Sequence, residues 1–308
     1  MSSPPAVPVF DSLRLVDLLR LAVSRFEAAG LVYGHGTTCA LDEAAALVLG
    51  ALQLPPDLPE GYFDARLTAA EVERLHALIV RRVEERIPVP YLLGECWYAG
   101  QKFAVSTEVL VPRSPLFELI AAQIQPWLDI YPQRILDLCT GSGCLAVLLA
   151  QAFADVPVDA SDLSAAALAV ARRNVARHGL ADQVTLLEGD GLAACKGRTY
   201  DLIVSNPPYV PAAEYASLPA EYGHEPRMGL EAGDDGLAFV HRLLAGVSEA
   251  LNPGGVLICE VGSAAGEIIT QYPDWPWTWL EFAQGGDGVF LIRREDILAA
   301  QNGNAHVG

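Results

Sequence analysis

Positive charge is scarce in this chain. Twenty Lys and Arg stand against 38 Asp and Glu, a formal net charge of −18. Such a surplus repels phosphate backbones at long range, and no basic cluster stands out beyond Arg172-Arg173 and Arg293-Arg294. Direct binding of nucleic acid is therefore not expected, and a neutral or basic partner is. No uninterrupted apolar run approaches the roughly 20 residues of a membrane span. The opening Met1-Ser-Ser-Pro-Pro-Ala-Val-Pro has no basic segment followed by an apolar block, so no secretory leader is expected. Cysteines are few: Cys39, Cys96, Cys139, Cys144, Cys195 and Cys259. None are spaced as a metal or redox pair and no His–Cys cluster accompanies them. They are read as small buried thiols of a cytoplasmic protein, with no metal. There is no internal repeat and no low-complexity segment.

What is abundant is apolar: 52% of 308 residues. That suffices for a large core, and the length suits about two domains at roughly 100–200 residues each. The first third reads as helical. Leu15, Leu18, Leu19, Ala22, Val23 and Phe26 recur at helical spacing before Gly30. A second helix is expected over 41–52. Thr68 and Glu71 form a capping-box pattern ahead of Val72, Leu75, Leu78, Ile79 and Val83. Residues 95–111 turn aromatic and β-branched around Gly100, which predicts a hairpin. A helix is expected from Pro112 to about Trp127.

Strand and helix patterns then alternate. Strands are predicted near 134–139, 156–161, 184–188, 201–205, 255–261, 277–282 and 289–293. Helices are predicted over 142–153, 164–178 and 236–251. Alternation of this kind implies a mostly parallel sheet covered on both faces. The last two strands lack a helix between them, so one of them is expected to run antiparallel. The expected organisation is a helical domain over 1–92, a hairpin linker over 93–112, an α/β domain over 113–296 and a flexible tail over 297–308.

The strongest local signal is Ile135-Leu-Asp-Leu-Cys-Thr-Gly-Ser-Gly-Cys144. A buried strand ends in Gly141-Ser142-Gly143 and passes into a helix, where backbone and helix N-terminus favour an anionic group. The third glycine of a dinucleotide fingerprint is replaced by Ala146, which is tolerated, so the loop alone does not distinguish NAD from other nucleotides. Three acids follow the strand ends. Asp162 lies some twenty residues beyond the loop, where a carboxylate accepts ribose hydroxyls. Asp190 is placed to reach the edge of a base. Asp137, inside the first strand, either fixes the glycine loop or accepts from a ligand's amino group. Each alone also reads as a turn or cap acid. As a set they resemble the S-adenosylmethionine site of class I methyltransferases. That resemblance implies a cofactor site at Asp137, Cys139, Thr140, Gly141, Ser142, Gly143, Asp162, Leu163, Asp190, Gly191 and Asn206, with S-adenosylhomocysteine as product.

The fourth strand of that region ends in Asn206-Pro207-Pro208-Tyr209. Prolines fix the backbone and carry no N–H donor, so acceptors dominate. An Asn oxygen, a proline carbonyl and a flat ring together suit a planar –NH2 group, which marks all four residues as candidate catalytic and substrate-binding positions. Such tetrapeptides occur in methyltransferases for exocyclic amines of nucleic-acid bases and in those for protein glutamine. The rest of the chain resembles the second group, the HemK-type protein-glutamine N(5) methyltransferases. The resemblance rests on Val111-Pro112-Arg113, on Glu225-Pro226 and on Ala232-Gly-Asp-Asp-Gly-Leu237, and it runs from about residue 70 to 293. Within that group, Val111-Pro-Arg-Ser-Pro115, Leu138-Cys-Thr-Gly-Ser-Gly-Cys144 and Leu218-Pro-Ala-Glu-Tyr222 resemble the enzymes of ribosomal protein L-three more than those of release factors. The resemblance implies a basic ribosomal protein as partner, with a release factor as the alternative, and a helical N-terminal domain that selects it. One departure stands out: Gly191 occupies a position that is aromatic in many release-factor enzymes. Arg113 reads either as a substrate-mouth residue or as a pin between backbone segments. Glu260 is assigned to the pocket floor, and His224 to an ordinary loop.

Overall fold

The computed structural model describes residues 13–283 and 285–304. The chain divides into two compact units. One runs to Cys96 and takes in Pro219–His224; the other holds Trp97–Leu218 and the chain from Glu225 on.

In the helical unit, α1 (Leu15–Ala28), α2 (Ala40–Ala51) and α3 (Ala69–Glu84) are followed by a short α4 (Val89–Leu93). The helical spacing of α1 buries Leu15, Leu18, Leu19, Ala22 and Phe26 on one stripe. Thr68 and Glu71 close the expected capping box: the Thr68 amide donates to Glu71 Oε2 at 2.8 Å and the Glu71 amide to Thr68 Oγ1 at 3.3 Å. Cys39 is exposed rather than buried. It sits at the N-cap of α2, its sulfur accepting from the Asp42 amide at 3.5 Å.

The intrusion of Pro219–His224 into this unit departs from an uninterrupted α/β domain over 113–296, and its cause is electrostatic. Arg82 is fully buried on α3 and pairs with Glu43 of α2 at 2.5 Å. Glu221 then accepts from the Val32 amide at 3.0 Å and from Arg86 at 3.2 Å. Two cations need two anions here, and the second comes from a distant segment. His224 is an ordinary loop residue, its Nε2 lying 2.9 Å from the Glu85 carbonyl.

A two-stranded hairpin, β1 (Glu95–Tyr98) and β2 (Gln101–Ala104), precedes the α/β unit. That unit contains α5 (Leu116–Ala121), β3 (Ile135–Leu138), α6 (Cys144–Ala152), β4 (Val158–Asp162), α7 (Ala165–Arg177), β5 (Val184–Glu188) and β6 (Tyr200–Ser205). It continues with α8 (Ala212–Tyr215), α9 (Ala238–Ala250), β7 (Leu251–Glu260), α10 (Ala265–Gln271), β8 (Thr278–Leu280), β9 (Val289–Arg293) and α11 (Arg294–Asn304). The sheet order is β5-β4-β3-β6-β7-β9-β8. The first five are parallel, while β9 runs antiparallel to both β7 and β8. This is the seven-stranded, mostly parallel sheet that the alternating pattern predicts. Central strands β3 and β6 are buried along their whole length.

Two expectations fail. The helix from Pro112 to Trp127 shrinks to α5, because Gln123 and Ile124 take positive φ and end it. The tail over 297–308 is helical through Asn304 rather than flexible, and its residues 305–308 lie outside the described residues. Its composition is polar, but Ile297 is fully buried and Arg294 donates to the Ser248 carbonyl at 2.9 Å. Gln301 donates to the Leu244 carbonyl at 2.9 Å, so α11 docks on α9 through hydrogen bonds that no hydrophobic period reveals.

Candidate active site

Chain order reverses between β3 and β6. Strands β4 and β5 lie on one side of that seam, and β7 on the other. In open α/β sheets ligands bind at such a switch point, beyond the carboxyl ends of the strands. The register fixes what meets there. Leu138 pairs with Ser205, whose hydroxyl donates to the Leu138 carbonyl at 2.8 Å. The glycine loop after β3 and Asn206-Pro-Pro-Tyr209 after β6 therefore begin side by side.

The glycine loop is held by its own acids. Thr140 Oγ1 donates to Asp137 Oδ2 at 2.5 Å, and Asp137 is wholly buried. Burial pushes its carboxyl up to about 7, against the pull of the Thr140 hydrogen bond. Asp137 lies beneath the cavity lining, with Oδ2 on the Thr140 hydroxyl and Oδ1 buried without a hydrogen-bond partner among the described residues. Asp162 does reach that wall, and it also clamps the loop: Oδ2 accepts from the Gly141 amide at 2.8 Å and Oδ1 from the Ser164 amide at 2.9 Å. Burial raises its carboxyl too, with those amide bonds opposing. Gly143 has φ +78°, and a Cβ there would stand 3.1 Å from the Ala171 backbone, so no larger residue lets α7 come this close.

A cavity of about 410 Å³ opens over the seam, a size suited to a small-molecule cofactor. Cys139, Thr140, Gly141 and Ser142 line it along the loop, and Leu163, Asp190 and Gly191 at its far end. Leu163 is 57% exposed, an apolar side chain with little protein cover. Asp190 is ion-paired to Arg242 at 2.7 Å. At the other end stand Asn206, Pro208 and Tyr209; Pro207 is buried and off the wall.

Glu260 connects these groups. It follows the Ser205–Cys259 pair by one step, beside Asn206, and its carboxylate is nearly buried. Ser114 Oγ donates to Oε2 at 2.5 Å and Tyr209 Oη to Oε1 at 3.2 Å. Burial raises the Glu260 carboxyl, while hydrogen bonds from Ser114, Tyr209 and the Asn206 side chain oppose the rise. Asn206 stands next to Glu260 across the strand pair, and both line the cavity. Burial, with Glu260 alongside, also keeps the Tyr209 phenol protonated. The Tyr209 ring lies where a Cβ on Gly262 would stand, 2.5 Å from its Cε2.

Two resemblance motifs meet in one ion pair. Arg113 reaches Glu225 with both guanidinium nitrogens, Nη1 to Oε1 at 2.6 Å and Nη2 to Oε2 at 2.8 Å. Glu225 also accepts from the Val111 amide at 3.1 Å. Arg113 therefore braces two backbone segments and also lies on the cavity wall, features of both of its expected readings. A third motif is a turn ahead of α9. Asp235 Oδ1 accepts from the Leu237 amide at 2.8 Å and its Oδ2 lies 2.9 Å from His241 Nε2. Against the cost of burial, these bonds bring the Asp235 carboxyl down to about 2.

Phe239 and Arg242 are cavity residues the sequence reading missed, since both sit inside an ordinary amphipathic helix. Among the described residues, no group of three or more His, Cys, Asp or Glu is arranged to hold a metal, and no helix is long and apolar enough to cross a membrane.

Residues 119–218 match the family model of the methyltransferase small domain. The ribosomal protein uL3 glutamine methyltransferase of Xanthomonas campestris pv. campestris is 47% identical over 286 residues, covering 92% of this chain and 92% of that protein. The enzyme of the same name from Bordetella pertussis is 46% identical, covering 92% of this chain and 96% of its own. Among solved structures, a ribosomal protein L11 methylase from Lactobacillus delbrueckii subsp. bulgaricus is 21% identical with a TM-score of 0.41, covering 58% of this chain and 77% of its own. Given nearly one residue in two identical across most of its length, this chain belongs to the family of the ribosomal protein uL3 glutamine methyltransferases.

Proposed function

We propose that this protein transfers the methyl group of S-adenosylmethionine to the side-chain nitrogen N(5) of one glutamine in ribosomal protein uL3. The observation that carries the reading is the place of Asn206, on the cavity wall beside the glycine loop and next to Glu260. The wall fits the cofactor: a carboxylate for a diol at Asp162, a second carboxylate at Asp190 for a base edge, and apolar cover from Leu163. S-adenosylmethionine, when bound, supplies an electrophilic methyl on sulfonium.

The residues of this chain supply aim. An amide nitrogen is a weak nucleophile because its lone pair is delocalised. Asn206 Oδ1 accepts a hydrogen of the substrate amide, which orients the nitrogen and stabilises positive charge developing on it. Tyr209, tied to Glu260, packs against the flat face of the amide. No base is required among these residues, since the N-methylated, protonated amide is strongly acidic and releases its proton to water. The helical unit selects the protein substrate, and the excess of 18 acidic charges draws in a basic one in the cytoplasm.

The test incubates the protein with methyl-labelled S-adenosylmethionine and an extract of cells lacking this enzyme. Label in uL3 is the expected result. Label confined to a release factor or to nucleic acid overturns the substrate assignment.

A further inference from the structure

The far end of the cavity has an aromatic residue that comes from a helix and not from the strand-end loop. At Gly191 a Cβ would point at the Phe239 ring, 3.5 Å from its Cε2 and 3.9 Å from its Cζ. The ring therefore occupies the space that a side chain at position 191 would enter. Phe239 lies in the first turn of α9, partly buried against the core and open to the cavity. One helical turn on, Arg242 lies 5.6 Å from the centroid of that ring while its Nη1 holds Asp190 Oδ2 at 2.7 Å. Leu163, at the end of β4, is the exposed apolar side chain of the same end of the cavity. A ring, an aliphatic side chain and a carboxylate fixed in place make a subsite for a planar heterocycle with an amino group on its edge.

We infer that Phe239 is the aromatic contact for the purine base of the cofactor, and that Arg242 positions both it and Asp190. The inference rests on the cofactor reading above and adds the residue that holds the base. A Cβ at position 191 would touch the ring at van der Waals distance, so Gly191 and Phe239 are neighbours on the same stretch of wall. Loss of a base–aromatic stacking contact is expected to weaken affinity roughly 5- to 100-fold.

The experiment is calorimetric titration of the intact protein with S-adenosylhomocysteine, read without turnover. F239A is expected to weaken binding about 5- to 100-fold, F239L to weaken it less, and F239W to restore it to within about threefold. Proton NMR supplies a signature that a merely structural role would not give. The purine C2 and C8 protons should shift upfield on binding to the wild type, and that shift should shrink with F239L, which keeps an apolar side chain to fill the site. Thermal unfolding checks that each variant is folded. Wild-type affinity in both F239A and F239L, or unchanged ring-current shifts in F239L, overturns the inference while leaving the cofactor reading intact. Failure of the wild type itself to bind S-adenosylhomocysteine instead removes the reading on which the inference stands.

Discussion

Replacing Arg113 with alanine would leave the Glu225 carboxylate with its charge inside the protein and its bidentate partner gone. The Glu225 side chain is fully buried, and it accepts two hydrogen bonds from Arg113 and another from the Val111 amide. Breaking a buried pair by removing one member costs about 3–5 kcal/mol, because the remaining charge is uncompensated. Arg113 is 28% exposed, so water entering its place recovers part of that, and a loss of roughly 2–4 kcal/mol is expected. E225A removes the buried charge itself, so the double variant R113A/E225A should be no less stable than R113A. That non-additivity is the measurable quantity. Urea unfolding of the wild type, both single variants and the double variant at pH 7 gives a coupling of about 1.5–3 kcal/mol if the pair works as drawn. Additivity within about 0.5 kcal/mol would refute the reasoning, since independent sites add to within that margin. R113K should recover only part of the loss, because a point charge cannot satisfy both carboxylate oxygens. The same pair braces Val111 and Pro226 on the cavity wall, so R113A should raise KM for the protein substrate more than it changes affinity for S-adenosylhomocysteine.

N206A should reduce methyl transfer by at least 10²-fold with S-adenosylhomocysteine affinity nearly unchanged, as single-turnover rates and calorimetry would report. E260Q removes the carboxylate that Ser114 and Tyr209 share; kcat is expected to fall about tenfold or more with little change in cofactor affinity, and an unchanged kcat would separate Glu260 from the reaction. D162A should weaken S-adenosylhomocysteine binding in calorimetry and also loosen the Gly141 and Ser164 amides that its carboxylate clamps. Asp137 carries a pH dependence: its folded-state carboxyl sits near 7 against about 4 when unfolded, so its contribution is complete below pH 4 and lost as pH rises toward 7. Unfolding free energy should decline over that window by an amount on the order of 4 kcal/mol, and D137N should flatten the decline, as urea unfolding at pH 5 and pH 8 would reveal.

Legibility in the sequence followed physical range. Strands β5 and β9 fall on the predicted residues, and α6, α7 and α9 within a residue or two, because burial on a sheet imposes a period that short windows reveal. The Thr68 capping box and the glycine loop are equally local. Elements held by distant partners were not visible. Helix α11 shows a polar stretch with one strong anchor, Ile297, and its hydrogen bonds to Ser248 and Leu244 lie some fifty residues away. Glu221 reads as one acid in a loop, and only the buried Arg82 and Arg86 give it a reason to join the helical unit.

The site divides along the same line, and the division bears on how its motifs are read. Asn206-Pro-Pro-Tyr209 announces acceptors at a strand end, but an asparagine amide is symmetric in shape, and nothing in the tetrapeptide says which end faces the ligand. The neighbour that bears on it is Glu260, brought beside Asn206 by the register that sets Ser205 against Cys259. Ser114 and Tyr209 use the remaining capacity of the same carboxylate. Glu260 thereby ties Ser114, far upstream in the chain, to the tyrosine of the motif. The four residues of the motif are legible at one strand end, while the group that holds its tyrosine comes from the neighbouring strand and is visible only through the sheet register.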